Sequence, residues 1–200
     1  MWTAANILTM GRLAVLPAIV VLIWPGIESR ETCFWAAVLY AVGGWLDLVD
    51  GYVARRWHQV TVLGKFLDPL ADKLFHLVTL IGLLQLPGPR VPPWVVMILL
   101  TRELAITGLR GIAVSEGVVI AAGQGGKLKT AFASFGTVGL LLHYPYVINY
   151  GFAAQMVDFH LVGLWLTYMA VASSVISGTE YVVGFVRARG KRDIERGSDP

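Results

Sequence analysis

Six apolar segments divide the chain, and each is close to the length of a membrane-spanning helix. A helix needs about 20 apolar residues to cross a bilayer. The segments cover about 6–24, 33–55, 62–86, 93–114, 128–147 and 160–186. Turn-forming sequences separate several of them, namely Pro25-Gly26, Pro87-Gly88-Pro89, Gly125-Gly126 and Asn149-Tyr150-Gly151. The pattern predicts an all-α integral membrane protein, with six transmembrane helices forming one domain over residues 1–200.

The first segment is expected to be a retained helix and not a signal peptide. Polar residues occur early in it, at Asn6, Thr9 and Arg12. No small-residue cleavage pattern follows Trp24.

Composition and charge placement support a membrane location. Hydrophobic residues make up 56% of the 200 residues and charged residues only 14%, whereas a soluble domain has about a quarter charged residues. Lys and Arg concentrate on the side of the predicted bundle that holds both termini, which the positive-inside rule places in the cytoplasm. A short basic tail, about 187–200, is expected to meet anionic lipid and not nucleic acid. Cys33 is the only cysteine, so no internal disulfide can form.

Four aspartates stand out because ionised groups within a span are expensive and usually functional. Asp47 and Asp50 are three residues apart, and Asp68 and Asp72 are four apart, so each pair shares one helix face. The short link over 57–61 predicts that the second and third helices are antiparallel neighbours. The four carboxylates would then converge, and two divalent cations, Mg²⁺ or Mn²⁺, would neutralise them. Such an ion pair suits displacement at phosphorus.

The aspartates allow two other interpretations. A salt-bridge network with nearby Lys and Arg would not need the small residues Gly51, Ala54 and Gly64 on the same stripes, whereas a nucleotide lying against the helices would. A divalent-cation transporter would use similar carboxylates near the membrane midplane. Asp50 lies only about 8 Å along the helix from Arg55, so the cluster is expected near one membrane face.

The stretch Asp47-x-x-Asp50-Gly51-x-x-Ala54-Arg55, followed by Gly64-x-x-x-Asp68-x-x-x-Asp72, resembles the signature of the CDP-alcohol phosphatidyltransferase family. The resemblance implies a six-helix fold, a homodimer and a CDP-diacylglycerol substrate. It also implies an active site open to the cytoplasmic face, here of a bacterial cytoplasmic membrane.

The resemblance further implies roles for individual residues. Asp47, Asp50, Asp68 and Asp72 match metal-ligand positions, and Asp72 also matches the general base. The positions that match contacts to CDP-diacylglycerol are Gly51, Ala54, Arg55, Gly64, Thr61 in the linker, and Asn6 and Thr9 at the start of the first helix.

The acceptor is indicated by the fourth and fifth segments. Residues 101–110 and the Gly126-Lys127-Leu128-Lys129-Thr130 stretch resemble the phosphatidylglycerophosphate synthases of that family, although Ala133-Ser134 occupy a region where Gln is common. The implied acceptor is sn-glycerol 3-phosphate, giving phosphatidylglycerophosphate and CMP. The expected phosphate-binding residues are Arg110, Lys127, Lys129 and Arg102, with Lys129 contributing less than Arg110 and Lys127. The alternatives are phosphatidylglycerol as acceptor, in a cardiolipin synthase, or another alcohol. His76 lies one turn after Asp72 and is expected to be an ordinary buried histidine, with support of the metal ligands as the alternative role.

Overall fold

Helices account for most of the described chain. The computed structural model describes residues 4–57, 62–88, 90–116, 125–149, 151 and 154–197, and within these it leaves out the side chains of 4–9, 47–57, 62–69, 125–127 and 191–197. The helices are α1 (Ala4–Leu22), α2 (Arg30–Trp57), α3 (Val62–Leu84), α4 (Pro93–Ser115), α5 (Gly125–Leu142) and α6 (Phe159–Gly197). The predicted set of six helical segments is therefore confirmed.

The fifth segment is shorter than predicted. The apolar pattern predicted a helix over 128–147, but α5 ends at Leu142. His143 takes a φ of 57°, which lies outside the right-handed helical region. Pro145 has no N–H to continue the helical hydrogen bonds. The prediction was wrong over 143–147 because apolarity alone does not distinguish a helix end from a following strand.

A two-stranded hairpin takes the place of the missing helical turn. The strands are β1 (Pro145–Asn149) and β2 (Ala154–Asp158), and they pair antiparallel. The predicted turn sequence lies between them, where the Asn149 side chain accepts a hydrogen bond from the Gly151 N–H at 2.9 Å. Gly151 has a φ of 85°, a conformation that glycine adopts without steric cost.

The sixth helix is longer than predicted. It begins where the Asp158 carboxylate accepts the Leu161 N–H at 3.1 Å, a typical N-cap. It then continues to Gly197, so the basic segment expected to be a tail after 186 belongs to the helix as far as residue 197. Phe159–Gly190 is the one helix in the described part of the chain that is long and apolar enough to cross a membrane. Met10–Leu22 and Leu128–Leu142 are shorter apolar stretches.

Helices α5 and α6 pack backbone against backbone. A Cβ added at Gly163 would lie 2.5 Å from the Leu140 nitrogen and 2.6 Å from the Gly139 carbonyl carbon. Small residues at such a contact let helices approach closely. Beside it, a core that includes Ile19, Phe75 and Leu140 joins α1, α3 and α5.

We expect Gly163→Ala to destabilise the protein by about 1–3 kcal/mol, because the added methyl group overpacks the α5–α6 contact. Gly190→Ala is the matched control on the same helix, where an added Cβ meets nothing within 4 Å. Since alanine favours helix over glycine by about 1 kcal/mol, that control should be neutral or stabilising. Thermal unfolding of both variants in one detergent measures the difference, and equal melting temperatures would contradict the packing argument.

Candidate active site

Helices α2 and α3 are in contact, and this contact is the point from which positions along both helices are measured. The Tyr40 ring stacks on Phe75, with ring centroids 4.9 Å apart, and its hydroxyl lies 3.0 Å from His76 Nδ1. Gly43 also faces the Phe75 ring, and a Cβ there would fall 2.4 Å from its Cζ. The absence of a side chain at Gly43 therefore allows the two helices to meet here.

The link between these helices requires them to be antiparallel. At about 1.5 Å per residue, α2 runs roughly 25 Å from Tyr40 to its end at Trp57, and α3 runs roughly 21 Å from Val62 to His76. If the two helices ran parallel, the distance from Trp57 to Val62 would be the sum of these two lengths. Residues 58–61 span at most about 18 Å, so the helices must run in opposite directions, as the sequence predicted.

Antiparallel packing brings the aspartate positions to the same side of the contact. Asp47 lies roughly 10 Å beyond the contact along α2, and Asp68 lies roughly 12 Å before it along α3. By the same measure Asp50 lies roughly 15 Å beyond the contact and Asp72 roughly 6 Å before it, so the four positions fall within about 9 Å along the pair. The side chains of Asp47, Asp50 and Asp68 lie outside the described residues, as do those of Gly51, Ala54, Arg55 and Gly64 on these helices.

The remaining nucleotide and metal predictions fall largely outside the described residues. Thr61 is in the undescribed link, and Asn6 and Thr9 lie on α1 without described side chains. Among the described side chains, no group of three or more His, Cys, Asp or Glu could hold a metal ion. Asp72 is the single member of the predicted cluster whose side chain is described.

Asp72 is paired with an arginine from the first helix. Arg12 Nη2 lies 2.9 Å from Asp72 Oδ1, and the guanidinium also sits 4.8 Å from the centre of the Phe75 ring. The Arg12 side chain is 5% exposed, whereas that of Asp72 is 50% exposed. The pair therefore fixes α1 to α3 while half of the Asp72 side chain remains accessible from the cavity.

A second charged cluster joins α3, α4 and α5 around Glu103. One carboxylate oxygen lies 2.5 Å from Lys129 Nζ and 3.3 Å from Arg102 Nη1, and the other lies 3.7 Å from Lys73 Nζ. Lys73 also donates to Thr107 Oγ1. Glu103, Lys73, Lys129 and Arg102 form the Glu103 cluster, in which three cations share one carboxylate.

Arg102 and Arg110 are directed towards α6. Arg102 Nε donates to the Ser174 carbonyl at 3.1 Å, and its Nη2 donates to Ser177 Oγ at 2.9 Å. The Arg110 guanidinium lies 5.7 Å from the centre of the Tyr181 ring. Neither arginine lines the cavity described next, whereas Lys129 does. The Lys127 side chain lies outside the described residues.

A cavity of about 630 Å³ connects Asp72 with the Glu103 cluster. Its charged lining residues are Arg12, Asp72, Lys73, Glu103 and Lys129. The rest of its lining is mainly apolar and includes Trp45, Leu77, Leu99, Phe135 and Val138. An amphiphilic molecule suits such a lining, because the cavity offers both ionic contacts and apolar surface.

Sequence reasoning did not assign Arg12, Lys73 or Glu103 to the site. The signal that could have found Lys73 and Glu103 is their position inside apolar segments, where charged residues usually face a functional cavity. Arg12 gave the same signal near the start of the first segment. Which partner each one meets depends on how the helix faces pack, and that was not available from spacing alone.

Comparison with known proteins agrees with this geometry. Residues 2–178 match the CDP-alcohol phosphatidyltransferase family. The chain belongs to this family.

Two relatives match this CDP-alcohol phosphatidyltransferase over nearly its full length. The Bacillus subtilis CDP-diacylglycerol–glycerol-3-phosphate 3-phosphatidyltransferase is 37% identical over 191 residues, covering 90% of this chain and 94% of that protein. A probable phosphatidylglycerophosphate synthase of Mycobacterium tuberculosis is 34% identical, covering 95% and 82%. The Streptomyces coelicolor cardiolipin synthase (CMP-forming) is 40% identical over 111 residues, which cover only 55% of this chain and 51% of that protein. The predicted family is therefore confirmed.

We expect Glu103→Gln to destabilise this phosphatidyltransferase by about 1–3 kcal/mol, because partly buried cations lose their shared carboxylate. Glu116→Gln is the matched control, since Glu116 meets Arg189 only at 3.9 Å on the surface, where a pair contributes about 0–1 kcal/mol. Thermal unfolding measures both variants. Added inorganic phosphate should stabilise Glu103→Gln more than the native protein, because the variant has one more uncompensated positive charge. An equal response would contradict this excess of positive charge at the cluster.

Proposed function

We propose that this enzyme transfers the phosphatidyl group of CDP-diacylglycerol to sn-glycerol 3-phosphate, forming phosphatidylglycerophosphate and CMP. The activities for which the two nearly full-length relatives are named support this reaction. The structural observation that carries the choice of acceptor is the Glu103 cluster in the cavity wall.

The charge of the cluster suits a dianionic phosphate. Glu103 offsets one of the three cations, so two positive charges remain uncompensated by carboxylates among the described residues. Lys73 and Lys129 line the cavity, and ammonium groups are common phosphate ligands. A phosphorylated acceptor would supply the missing negative charge without a further acidic residue.

The apolar wall suits the lipid donor. Trp45 and Phe135 are 72% and 68% exposed and line the cavity. A second, apolar hollow of about 420 Å³ along α2 shares Ala41 and Trp45 with it. Exposed aromatic and aliphatic groups beside a charged site favour a substrate that remains partly in the bilayer.

The exposed apolar residues also support a membrane arrangement with six spans. In this arrangement both termini and the site are on the cytoplasmic side. In this arrangement α6 crosses the bilayer as one continuous apolar helix. The basic residues near the ends of the helices then face the cytoplasm. The homodimer implied by the resemblance stays a prediction.

Two divalent cations, Mg²⁺ or Mn²⁺, would be held by the aspartates of α2 and α3. Asp47, Asp50, Asp68 and Asp72 lie on the same side of the contact between these helices, and hard cations prefer carboxylate oxygens. When bound, the cations would offset the charge of the diphosphate and help CMP to leave. Gly51, Ala54, Arg55, Gly64 and Thr61, with Asn6 and Thr9 of α1, are the proposed contacts to the donor.

The reaction then proceeds by direct displacement. The free primary hydroxyl of the acceptor lies at Asp72, whose carboxylate removes its proton. The hydroxyl oxygen forms a bond to the phosphorus that carries diacylglycerol, and the bond from that phosphorus to the oxygen of CMP breaks. Arg12 holds the Asp72 carboxylate in place from α1. Lys129 and Lys73 orient the acceptor by its phosphate, so the attacking hydroxyl is already positioned.

The metal proposal predicts different failures for two aspartates. EDTA should abolish turnover, and Mg²⁺ or Mn²⁺ should restore it. Asp68→Ala should lose both metal rescue and binding of CDP-diacylglycerol, because a ligand is removed. Asp72→Asn should lose turnover but keep most donor binding, since its main loss is the base. Donor binding and product formation are measured on the same preparations. Near-native turnover of Asp72→Asn, or best activity with Zn²⁺ alone, would contradict these assignments.

The acceptor proposal is tested by a screen with purified protein, labelled CDP-diacylglycerol and identification of the products. We expect turnover with sn-glycerol 3-phosphate and very little with glycerol. Lys129→Ala should raise the KM for sn-glycerol 3-phosphate about tenfold to a hundredfold, because one charge-assisted contact is lost. Its KM for CDP-diacylglycerol should change much less. Arg110→Ala should have the smaller effect, since Arg110 lies against Tyr181.

Arg189→Ala provides the control for this screen, because Arg189 is a surface cation paired at long distance with Glu116. It should leave both KM values unchanged. Use of phosphatidylglycerol with no use of sn-glycerol 3-phosphate would identify a cardiolipin synthase and overturn the proposed acceptor. Cation flux without product formation would favour a transporter.

A further inference from the structure

One ring nitrogen of His76 is bonded and the other is not. Its Nδ1 lies 3.0 Å from the Tyr40 hydroxyl and 3.4 Å from Thr137 Oγ1. Its Nε2 is buried and has no hydrogen-bond partner among the described groups. An unsatisfied buried polar atom costs about 1–3 kcal/mol. Such an atom on a residue that lines a cavity is a candidate contact for a ligand.

The surroundings of His76 hold the ring in one orientation. Thr137 donates its hydroxyl proton to the Ala133 carbonyl at 2.8 Å, so it can only accept from the imidazole. Tyr40 is itself fixed by stacking on Phe75. His76 lines the cavity, and the small side chains of Ala133 and Ser134 line it as well. Nε2 is therefore the ring nitrogen of His76 for which the described residues supply no partner.

His76 is also close to the charged residues of the site. It follows Asp72 by one helical turn on α3. The charges that act on its ring include those of Asp72, Lys129, Glu103 and Arg12. In the proposed reaction, Asp72 meets the attacking hydroxyl of the acceptor and Lys129 meets its phosphate. The carbon between those two groups in a glycerol phosphate carries a second hydroxyl.

We propose that His76 Nε2 binds this middle hydroxyl and selects glycerol phosphate over phosphorylated alcohols that lack it. This inference rests on the proposed function. A hydroxyl suits the site because it both donates and accepts, so it bonds to Nε2 in either tautomer of the neutral ring. A site that hydrogen-bonds a substrate hydroxyl discriminates against the analogue without it, because the protein group is then left unpaired.

The test compares sn-glycerol 3-phosphate with 3-hydroxypropyl phosphate, which keeps the phosphate and the attacking hydroxyl but lacks the middle one. The native enzyme should prefer sn-glycerol 3-phosphate in kcat/KM by about tenfold or more, the value of one hydrogen bond. His76→Leu should reduce that ratio to within about twofold of one. His76→Gln should keep part of the preference, because its amide can still bond to a hydroxyl.

Thr79→Val is the matched control, because Thr79 is a buried residue of the same helix whose hydroxyl bonds only to the Phe75 carbonyl among the described groups. It should leave the preference unchanged. If His76→Leu does not fold, Tyr40→Phe serves in its place. Loss of the phenol frees the ring to turn, so the preference should fall by about threefold or more.

Three outcomes overturn the inference: a native enzyme that does not distinguish the two acceptors, a folded His76→Leu with the native preference, or, where that variant fails to fold, an unchanged preference in Tyr40→Phe. Failure of the proposed function looks different, because the native enzyme would then not use sn-glycerol 3-phosphate at all.

Discussion

The structure depends on the pairing of charges inside a largely apolar helix bundle. An ionised group away from water must meet an opposite charge or a hydrogen-bonding partner. Glu103 meets this need for cations on α3, α4 and α5, and the Arg12–Asp72 pair joins α1 to α3. The residues that make these stabilising contacts therefore also supply the charged lining of the cavity.

Packing elsewhere in the fold holds these charged side chains in position. Because Gly43 has no side chain, Phe75 packs directly against α2, and the glycines of α5 and α6 allow those helices to touch along their backbones. Arg102, a member of the Glu103 cluster, also donates hydrogen bonds to Ser174 and Ser177, so the cluster is held to α6. Close packing leaves few alternative positions for the side chains, which keeps Asp72, Lys73, Lys129 and His76 around one cavity.

Sequence patterns predicted the features of the fold that depend on residues close together in the chain. Segment length predicted the six helices, and spacing on a helix predicted which aspartates share a face. The family was indicated by the resemblance of the stretch from Asp47 to Asp72 to a known signature. Parts that depend on tertiary contacts were missed. Arg102 and Glu103 are adjacent in sequence, yet Arg102 reaches α6 whereas Glu103 meets Lys129. The strand beginning at Pro145 was missed because its residues are as apolar as the helix before it.

The length of α6 has a consequence beyond the site. Its 39 residues extend about 58 Å at 1.5 Å per residue, whereas the hydrocarbon core of a bilayer is about 30 Å thick. In the proposed orientation, nearly half of the length of α6 lies outside the hydrocarbon core and continues as a helix. A reporter domain fused after Gly197 would therefore be held at a set height above the membrane, where its distance from the bilayer could serve as a direct measure of helix tilt.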